Sequence, residues 1–359
     1  MDEFDVSNDT TQFEVEAELD DHGRLTQECA ERISALVDEH GFAVMLGLLT
    51  EEECDAGLRL VREVLDDPNR EKATFASQTD IRYGRRDFCP LPTTGPLLDY
   101  FALLADRAAP VLVLHCGLTR SVLEMSTLTS YLGSSHQYLH RDPSGVLCMF
   151  AALDNVSDEQ GGTVFVPGTH RYNGSGRRHG GRSETLMQIF QFQSNRKVYP
   201  YNRQMLKRML GTGEVSEQEY KDRTFSKADD SHQPNLRRLP SNPFVGRSHY
   251  TLKKLYRRMR QRQLAQETFE LVQAAPPKGS VLIYRSDMLH AGPDNRSEKP
   301  RYFLNINIAR DSIHPKLWRA GYSAHTSLLD NPMSLGDLIA RSSQNRLTSS
   351  GARLEIEVG

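Results

Sequence analysis

The sequence predicts a mainly β domain, a sandwich or jelly roll with flanking helices, on three observations. Short runs rich in β-branched and aromatic residues recur at 121–133, 146–156, 162–168, 185–193, 280–285 and 301–310, with Gly, Pro or Asn between them. Many short strands with punctuated turns argue for a sandwich or jelly roll over a parallel sheet. The last run alternates: Tyr302, Leu304, Ile306 and Ile308 face one way, Asn305 and Asn307 the other. A polar inner face of this kind leaves room for a substrate, which makes Asn305 a candidate contact. Helical patterns crowd the stretch ahead of the strands.

Taken in order, residues 1–24 read as an acidic, mobile tail. Nine Asp/Glu and no Lys or Arg fall within the first 21 positions, too few apolar groups to offset the entropy of ordering them. The rest, 25–359, reads as one domain. Ile33, Leu36 and Val37 recur at helical spacing until Gly41, and residues 42–46 form a short buried strand. Thr50 and Glu53 form a capping box for a second helix whose Cys54, Leu58, Val61 and Leu65 share a face. In residues 79–92, Arg82, Arg85 and Arg86 crowd between Gly84 and two prolines. They form either a solvated basic loop or a mouth in which one Arg holds an anionic group. Residues 97–109 read as a helix packed on the sheet.

Composition narrows the function. Charged residues make up 25% of a chain with net charge −3, so nothing draws it toward nucleic acid or anionic membranes. There is no apolar run long enough to span a bilayer and no basic start followed by an apolar stretch, which makes a cytoplasmic location the expectation. Cys29, Cys54, Cys89, Cys116 and Cys148 are scattered and never form C-x-x-C, as reduced buried thiols would be. His140-Arg141-Asp142 spells the kinase catalytic motif, but the position five after the Asp is Leu147 rather than Asn. With no D-F-G and no glycine-rich nucleotide loop either, a kinase is excluded.

The same triplet carries a different chemistry. On a strand, His140 and Asp142 project from one face, two ligands of a metal site awaiting a third. His290, at the end of a short apolar run, is the candidate third. Two His and one carboxylate leave three coordination positions open and suit non-heme Fe(II). Arg301 opens the alternating strand, and its guanidinium fork matches a carboxylate as no Lys could.

His140-Arg141-Asp142, the GGTVFVPGTH segment at 161–170, His290 with Asn295 five residues on, and Arg301 eleven residues after His290 occur in this order. Together they resemble the phytanoyl-CoA dioxygenase-like branch of the Fe(II)/2-oxoglutarate oxygenases. The resemblance implies a double-stranded β-helix core, a cupin-like jelly roll. It implies Fe(II) held by His140, Asp142 and His290, which are then also the catalytic residues. Arg301 would hold the far carboxylate of 2-oxoglutarate, with Thr129 a cosubstrate contact and Phe150 an aromatic wall against it. The cosubstrates would be 2-oxoglutarate and O2, with ascorbate stimulating. A small molecule would be hydroxylated as 2-oxoglutarate gives succinate and CO2. Relatives that halogenate carry a small residue in place of the carboxylate, so Asp142 disfavours halogenation. Gly161-Gly162 reads as a turn, since no helix start follows it.

The main departure is an insertion at about 172–275. Between Arg196 and Arg262 there are 17 Lys/Arg against 6 Asp/Glu. It is either a solvated basic segment or a rim that attracts an anionic small-molecule substrate. Residues 252–272 read as a helix, with Leu255, Met259 and Leu271 on a buried stripe. Arg82, Arg85, Arg86 and Asn305 complete the candidate substrate contacts. The alternatives are an inactive jelly roll serving as sensor or scaffold, disfavoured by the intact ligand set and Arg301, and a protein or peptide hydroxylase. The substrate and the oligomeric state are not written in the sequence.

Overall fold

The computed structural model describes residues 6–70, 79–172, 182–225, 269–310, 328 and 331–343. The chain opens with strands β1 (Val6–Ser7) and β2 (Glu14–Glu16), then helix α1 (Gln27–His40), strand β3 (Phe42–Leu46) and helix α2 (Glu51–Leu65). Thr26 caps α1 by accepting from the Cys29 amide, and Gly41 ends it at φ +90°. A Cβ at Gly41 would also meet the His170 ring at 2.6 Å, so both conformation and space call for glycine there. The capping box of Thr50 and Glu53 is formed on α2.

After α3 (Thr79–Arg82) and β4 (Arg86–Pro90), helices α4 (Gly95–Arg107) and α5 (Ala109–His115) lead into β5 (Val122–Ser130) and β6 (Val146–Ala152). Next come β7 (Thr163–Phe165), α6 (Arg182–Thr212), α7 (Glu217–Phe225), β8 (Leu271–Ala274), β9 (Val281–Arg285), β10 (His290–Ala291) and β11 (Arg301–Ala309).

The strands form two sheets, one in the order β2-β3-β9-β6-β11-β5-β4 and a smaller one in the order β1-β8-β7-β10. From β6 onward the chain crosses between them, to β7 and β8, back to β9, across to β10 and back to β11. Apart from the parallel pairs β1/β8 and β2/β3, the described ladders are antiparallel. This alternation between two facing, mainly antiparallel sheets is a double-stranded β-helix, the jelly-roll core that the strand runs predicted.

Each face of the large sheet is covered. Outward-facing Met45, Met125, Met149, Ile283, Leu304 and Ile306 pack with residues of α1, α2, α4 and α5. Inward-facing Phe42, Val44, Phe150, Leu282 and Phe303 pack toward the small sheet around Phe165. β11 is therefore buried along its whole length rather than half-buried, with the alternation of faces as expected.

Three expectations are corrected. Residues 6–24 are not a tail: β1 pairs with β8, β2 with β3, and Phe13 is 2% exposed against Phe42, ring centroids 4.5 Å apart. Burying one such ring contributes about 1.5–3 kcal/mol, which outweighs a high acid count. Residues 185–193 lie in helix α6 rather than a strand, because Val198, Met205 and Met209 carry on a buried face at helical spacing. Leu271 starts strand β8 instead of sitting on a helix; residues 252–268 lie outside the described residues. Among the described residues no helix is long and apolar enough to cross a membrane.

All five cysteines are free and buried. His170, at the end of the turn after β7, donates from Nε2 to the Asp38 carbonyl at 3.1 Å, while Nδ1 is buried without a partner. Burial pushes its pKa down to about 4, with Arg285 acting the same way. The ring is neutral when folded and ordinary, near 6.5, when unfolded. Since the folded chain then binds fewer protons, this site's contribution is intact above about pH 6.5 and is lost as pH falls toward 4. Urea midpoints followed from pH 7 to 4 should diverge between the wild-type chain and His170→Gln, which keeps a donor without the titration. Parallel curves would refute the assignment.

Candidate active site

The metal-ligand candidates meet because two backbone segments pair. His140 and His290 face each other as an isolated antiparallel bridge, each amide donating to the other's carbonyl at 3.0 Å. Asp142 follows in a loop held by its own amide to the Ser286 carbonyl at 2.9 Å. The predicted strand at 140–142 is thus reduced to a single bridge, yet the convergence stands. One ligand atom from each of His140, Asp142 and His290 lies within 4.8 Å of the others.

The imidazoles are pre-set for ligation. His140 Nδ1 lies 2.8 Å from the Tyr138 carbonyl and His290 Nδ1 3.1 Å from that of Met288. A carbonyl only accepts, so Nδ1 carries the proton and Nε2 keeps its lone pair. The two Nε2 atoms flank the Asp142 carboxylate at 3.8 and 3.5 Å. Burial disfavours a charged His290, but Asp142 and the Met288 carbonyl together outweigh it and hold the ring above its ordinary range; a metal would take the place of that Nε2 proton. Two neutral nitrogen donors and one carboxylate, turned toward a common point, fit a divalent metal of the iron type.

The segment before His140 is braced by the insertion. On α6, Asn195 accepts from the Leu139 amide at 2.7 Å and donates to its carbonyl at 3.0 Å. Seven residues on, Asn202 treats His136 alike, at 2.9 and 2.8 Å. Two side-chain amides thereby do for residues 136–139 what a neighbouring strand would. No pattern in the sequence announced this role.

The triad opens on a cavity of about 220 Å3 that is also lined by Arg86, Arg301, Phe150, Phe303, Tyr284 and Asn305. Arg301 is 1% exposed; it donates to the Gln160 carbonyl at 2.7 Å and the Ser130 hydroxyl at 2.9 Å, while its Nε is buried without a partner. Ser130 pairs with Arg301 on one side and Arg86 on the other, so the two guanidiniums stand on one face at one level. Arg86 Nε is likewise buried and unpartnered. Burial pushes Arg301 down to about 9, Arg86 acting the same way and Asp294 against it. Two buried guanidiniums with unused N–H groups fit a dicarboxylate end, whose negative charge would offset the cost of burying both.

Other expectations fare differently. Phe150 and Asn305 line the cavity, as does Arg86 of the arginine trio. Arg85 turns to Glu219 at 2.8 Å and Arg82 to Asp222 at 3.6 Å, so both tie α7 to the body of the protein instead of facing the cavity. Thr129 is buried but faces away; Leu128 and Ser130, one step to either side, face inward. In a strand a shift of one residue reverses the face. Asn295 is a turn residue, donating to the Ser130 and Lys299 carbonyls at 2.9 and 3.0 Å.

Residues the sequence did not single out also line the cavity: Glu124, His136, Gln137, Tyr284 and Arg223. Arg223, on α7 of the basic insertion, pairs with Asp80 at 2.9 Å and Glu219 at 2.8 Å and is buried. At least this part of the insertion is packed into the site rather than solvated. Glu124 had a visible signal, the one charged residue in the strand run 122–130.

Comparison with known proteins gives the following. The phytanoyl-CoA dioxygenase (PhyH) family model matches residues 133–303, a span that contains the three candidate ligands and Arg301. No curated protein matches the chain. Among solved structures, it is similar to the non-heme alpha-ketoglutarate-dependent epimerase SnoN from nogalamycin biosynthesis, at 14% identity and TM-score 0.45, over 79% of this chain and 84% of that one. It is also similar to the carbocyclase SnoK from the same biosynthesis, at 14% identity and TM-score 0.41, over 80% and 86%. A third is HygX from Streptomyces hygroscopicus, bound to nickel, 2-oxoglutarate and hygromycin B, at 15% identity and TM-score 0.42, over 77% and 86%. Residues 133–303 are thus a phytanoyl-CoA dioxygenase (PhyH) domain, and the three candidate ligands and Arg301 all fall within it.

Proposed function

We propose that the chain oxidises, by hydroxylation, a C–H bond of a small molecule, using Fe(II) at His140, Asp142 and His290 and 2-oxoglutarate at Arg301. The observation that carries the reading is the pairing of a pre-oriented His-Asp-His cluster with a buried, partly unsatisfied arginine pair in one cavity. When bound, the iron and 2-oxoglutarate supply the oxidation with O2, yielding succinate and CO2.

The chain's own residues position and exclude. His140, Asp142 and His290 would hold the ion, and three protein ligands would leave coordination positions for cosubstrate and O2. Arg301, with Arg86 beside it, holds the distal carboxylate and fixes how the diacid reaches the ion. Phe150 and Phe303, ring centroids 5.7 Å apart, wall the carbon chain and keep water from the reacting end. His136 is held below the ordinary imidazole range by burial, against Asp294, so it adds no charge beside the arginines.

The test is a small-molecule screen for substrate-dependent succinate release with Fe(II), 2-oxoglutarate and ascorbate, followed by mass analysis of product made under labelled O2. One labelled oxygen in the product is expected. A product lacking it would replace hydroxylation by desaturation, ring closure or epimerisation. Iron and 2-oxoglutarate binding without turnover on any compound would favour a binding protein.

A further inference from the structure

The cavity is polarised in a way the proposed reaction does not use. Arg86 and Arg301 mark one end. Along the same inner face of β11, four and six residues beyond Arg301, come Asn305 and Asn307, about 13 and 20 Å away at strand rise. Both line the cavity with Glu124, and all three are at most 5% exposed.

Their bonding fixes which of their atoms are left without a partner. Asn305 Nδ2 donates to Glu124 Oε1 at 2.9 Å and to the Ser126 hydroxyl at 3.0 Å, and Asn307 Nδ2 donates to Glu124 Oε2 at 3.2 Å. Ser126 also donates to Glu124, at 2.7 Å. Flipping either amide would set a carbonyl oxygen against a carboxylate, so the orientation is decided by the carboxylate. Asn305 Nδ2 spends both of its N–H groups and Asn307 Nδ2 one of its two in this way, and both Oδ1 atoms are left buried with no partner. Leaving a buried acceptor without a donor is unfavourable, and two side by side make this wall a place for donors.

The wall also lies at a useful distance from the metal ligands. Glu124 pairs with Asn307, Asn307 with Cys148 and Cys148 with Tyr284 in one cross-strand row. The Tyr284 ring is 5.2 Å from that of His290. Three strand spacings separate Glu124 from Tyr284, about 14 Å.

We infer that the substrate carries a protonated amine that docks on Glu124, Asn305 and Asn307. A primary ammonium has three N–H donors and no acceptor, and the wall offers one carboxylate and two amide oxygens. A carboxylate or phosphate would meet the Glu124 carboxylate and two amide oxygens there, so this wall favours the opposite sign from the anionic substrate suggested by the basic insertion. With the amine anchored, carbons a small molecule's length away reach the triad. The inference rests on the proposed oxygenase reading for that last step, but the amine site itself does not.

The test uses three isosteric probes, cyclohexylmethylamine, cyclohexylmethanol and cyclohexanecarboxylic acid, titrated by calorimetry into the full chain with Fe(II) and 2-oxoglutarate under argon and again without them. 2-Oxoglutarate is titrated separately. The amine is expected to bind at least tenfold more tightly than the alcohol, with the acid weaker still. Glu124→Gln and Asn307→Ala should each weaken the amine at least fivefold and leave the alcohol unmoved. Should Glu124→Gln misfold, as a shifted melting curve would show, Asn307→Ala carries the comparison. Equal binding of amine and alcohol, preference for the acid, no amine binding, or unchanged amine affinity in the folded variants would each overturn the inference. Failure of 2-oxoglutarate to bind while the amine preference persists would instead remove the oxygenase reading alone.

Discussion

Asp142→Ala should release no succinate above background, a loss of at least about 10³-fold, with iron affinity falling in parallel. Disturbing a group that merely orients a ligand costs about 10–100-fold in metal affinity or activity. Asp142 would be a ligand itself and the only negative charge among the three. The backbone bond from its amide to the Ser286 carbonyl survives the change. The variant should therefore fold, and a melting curve near that of the wild-type chain would show it. His140→Ala and His290→Ala should behave alike, the backbone bridge between them being independent of their rings. Full turnover by any of the three would remove the metal assignment.

The second large effect is at Arg301. Arg301→Leu should raise the half-saturating 2-oxoglutarate concentration by about 30- to 1000-fold, the equivalent of about 2–4 kcal/mol for a buried charge-assisted contact. Iron affinity should hardly move, because no candidate ligand touches this side chain. Some stability is lost as well: the Gln160 carbonyl and the Ser130 hydroxyl each lose a donor, at about 1–3 kcal/mol apiece if left unsatisfied. Arg301→Lys restores charge without the planar fork and should recover only part of the affinity. An unchanged 2-oxoglutarate requirement in a folded Arg301→Leu chain would move the cosubstrate elsewhere, with Arg86 the next residue to change.

The jelly roll was legible because its central strands are written in local chemistry, as in the alternation of β11. The convergence of His140, Asp142 and His290, the candidate metal ligands, was legible because spacing and residue type restrict such a set so tightly. What failed was whatever depends on partners distant in sequence. Residues 185–193 have the composition of a strand, and only packing of the later α6 residues makes them helical. Arg82, Arg85 and Arg86 are indistinguishable as text, yet only the one that enters strand β4 beside Ser130 reaches the cavity. Thr129 missed by a single register step. The acceptor wall was half visible: Asn305 was noticed, but the carboxylate that turns its amide lies on another strand, 181 residues away in the chain.

The acidic opening segment has one more consequence. β1 is the outermost strand of the small sheet and β2 an outermost strand of the large one, so eleven consecutive residues finish a rim of each. Strand rims with unused backbone groups invite another chain to anneal to them. Asp9 and Glu16 are exposed along this stretch, and Glu14 is half-buried beside them. The charge density that made the segment look unfit for folding instead repels copies of the protein from one another at two of its most adhesive borders.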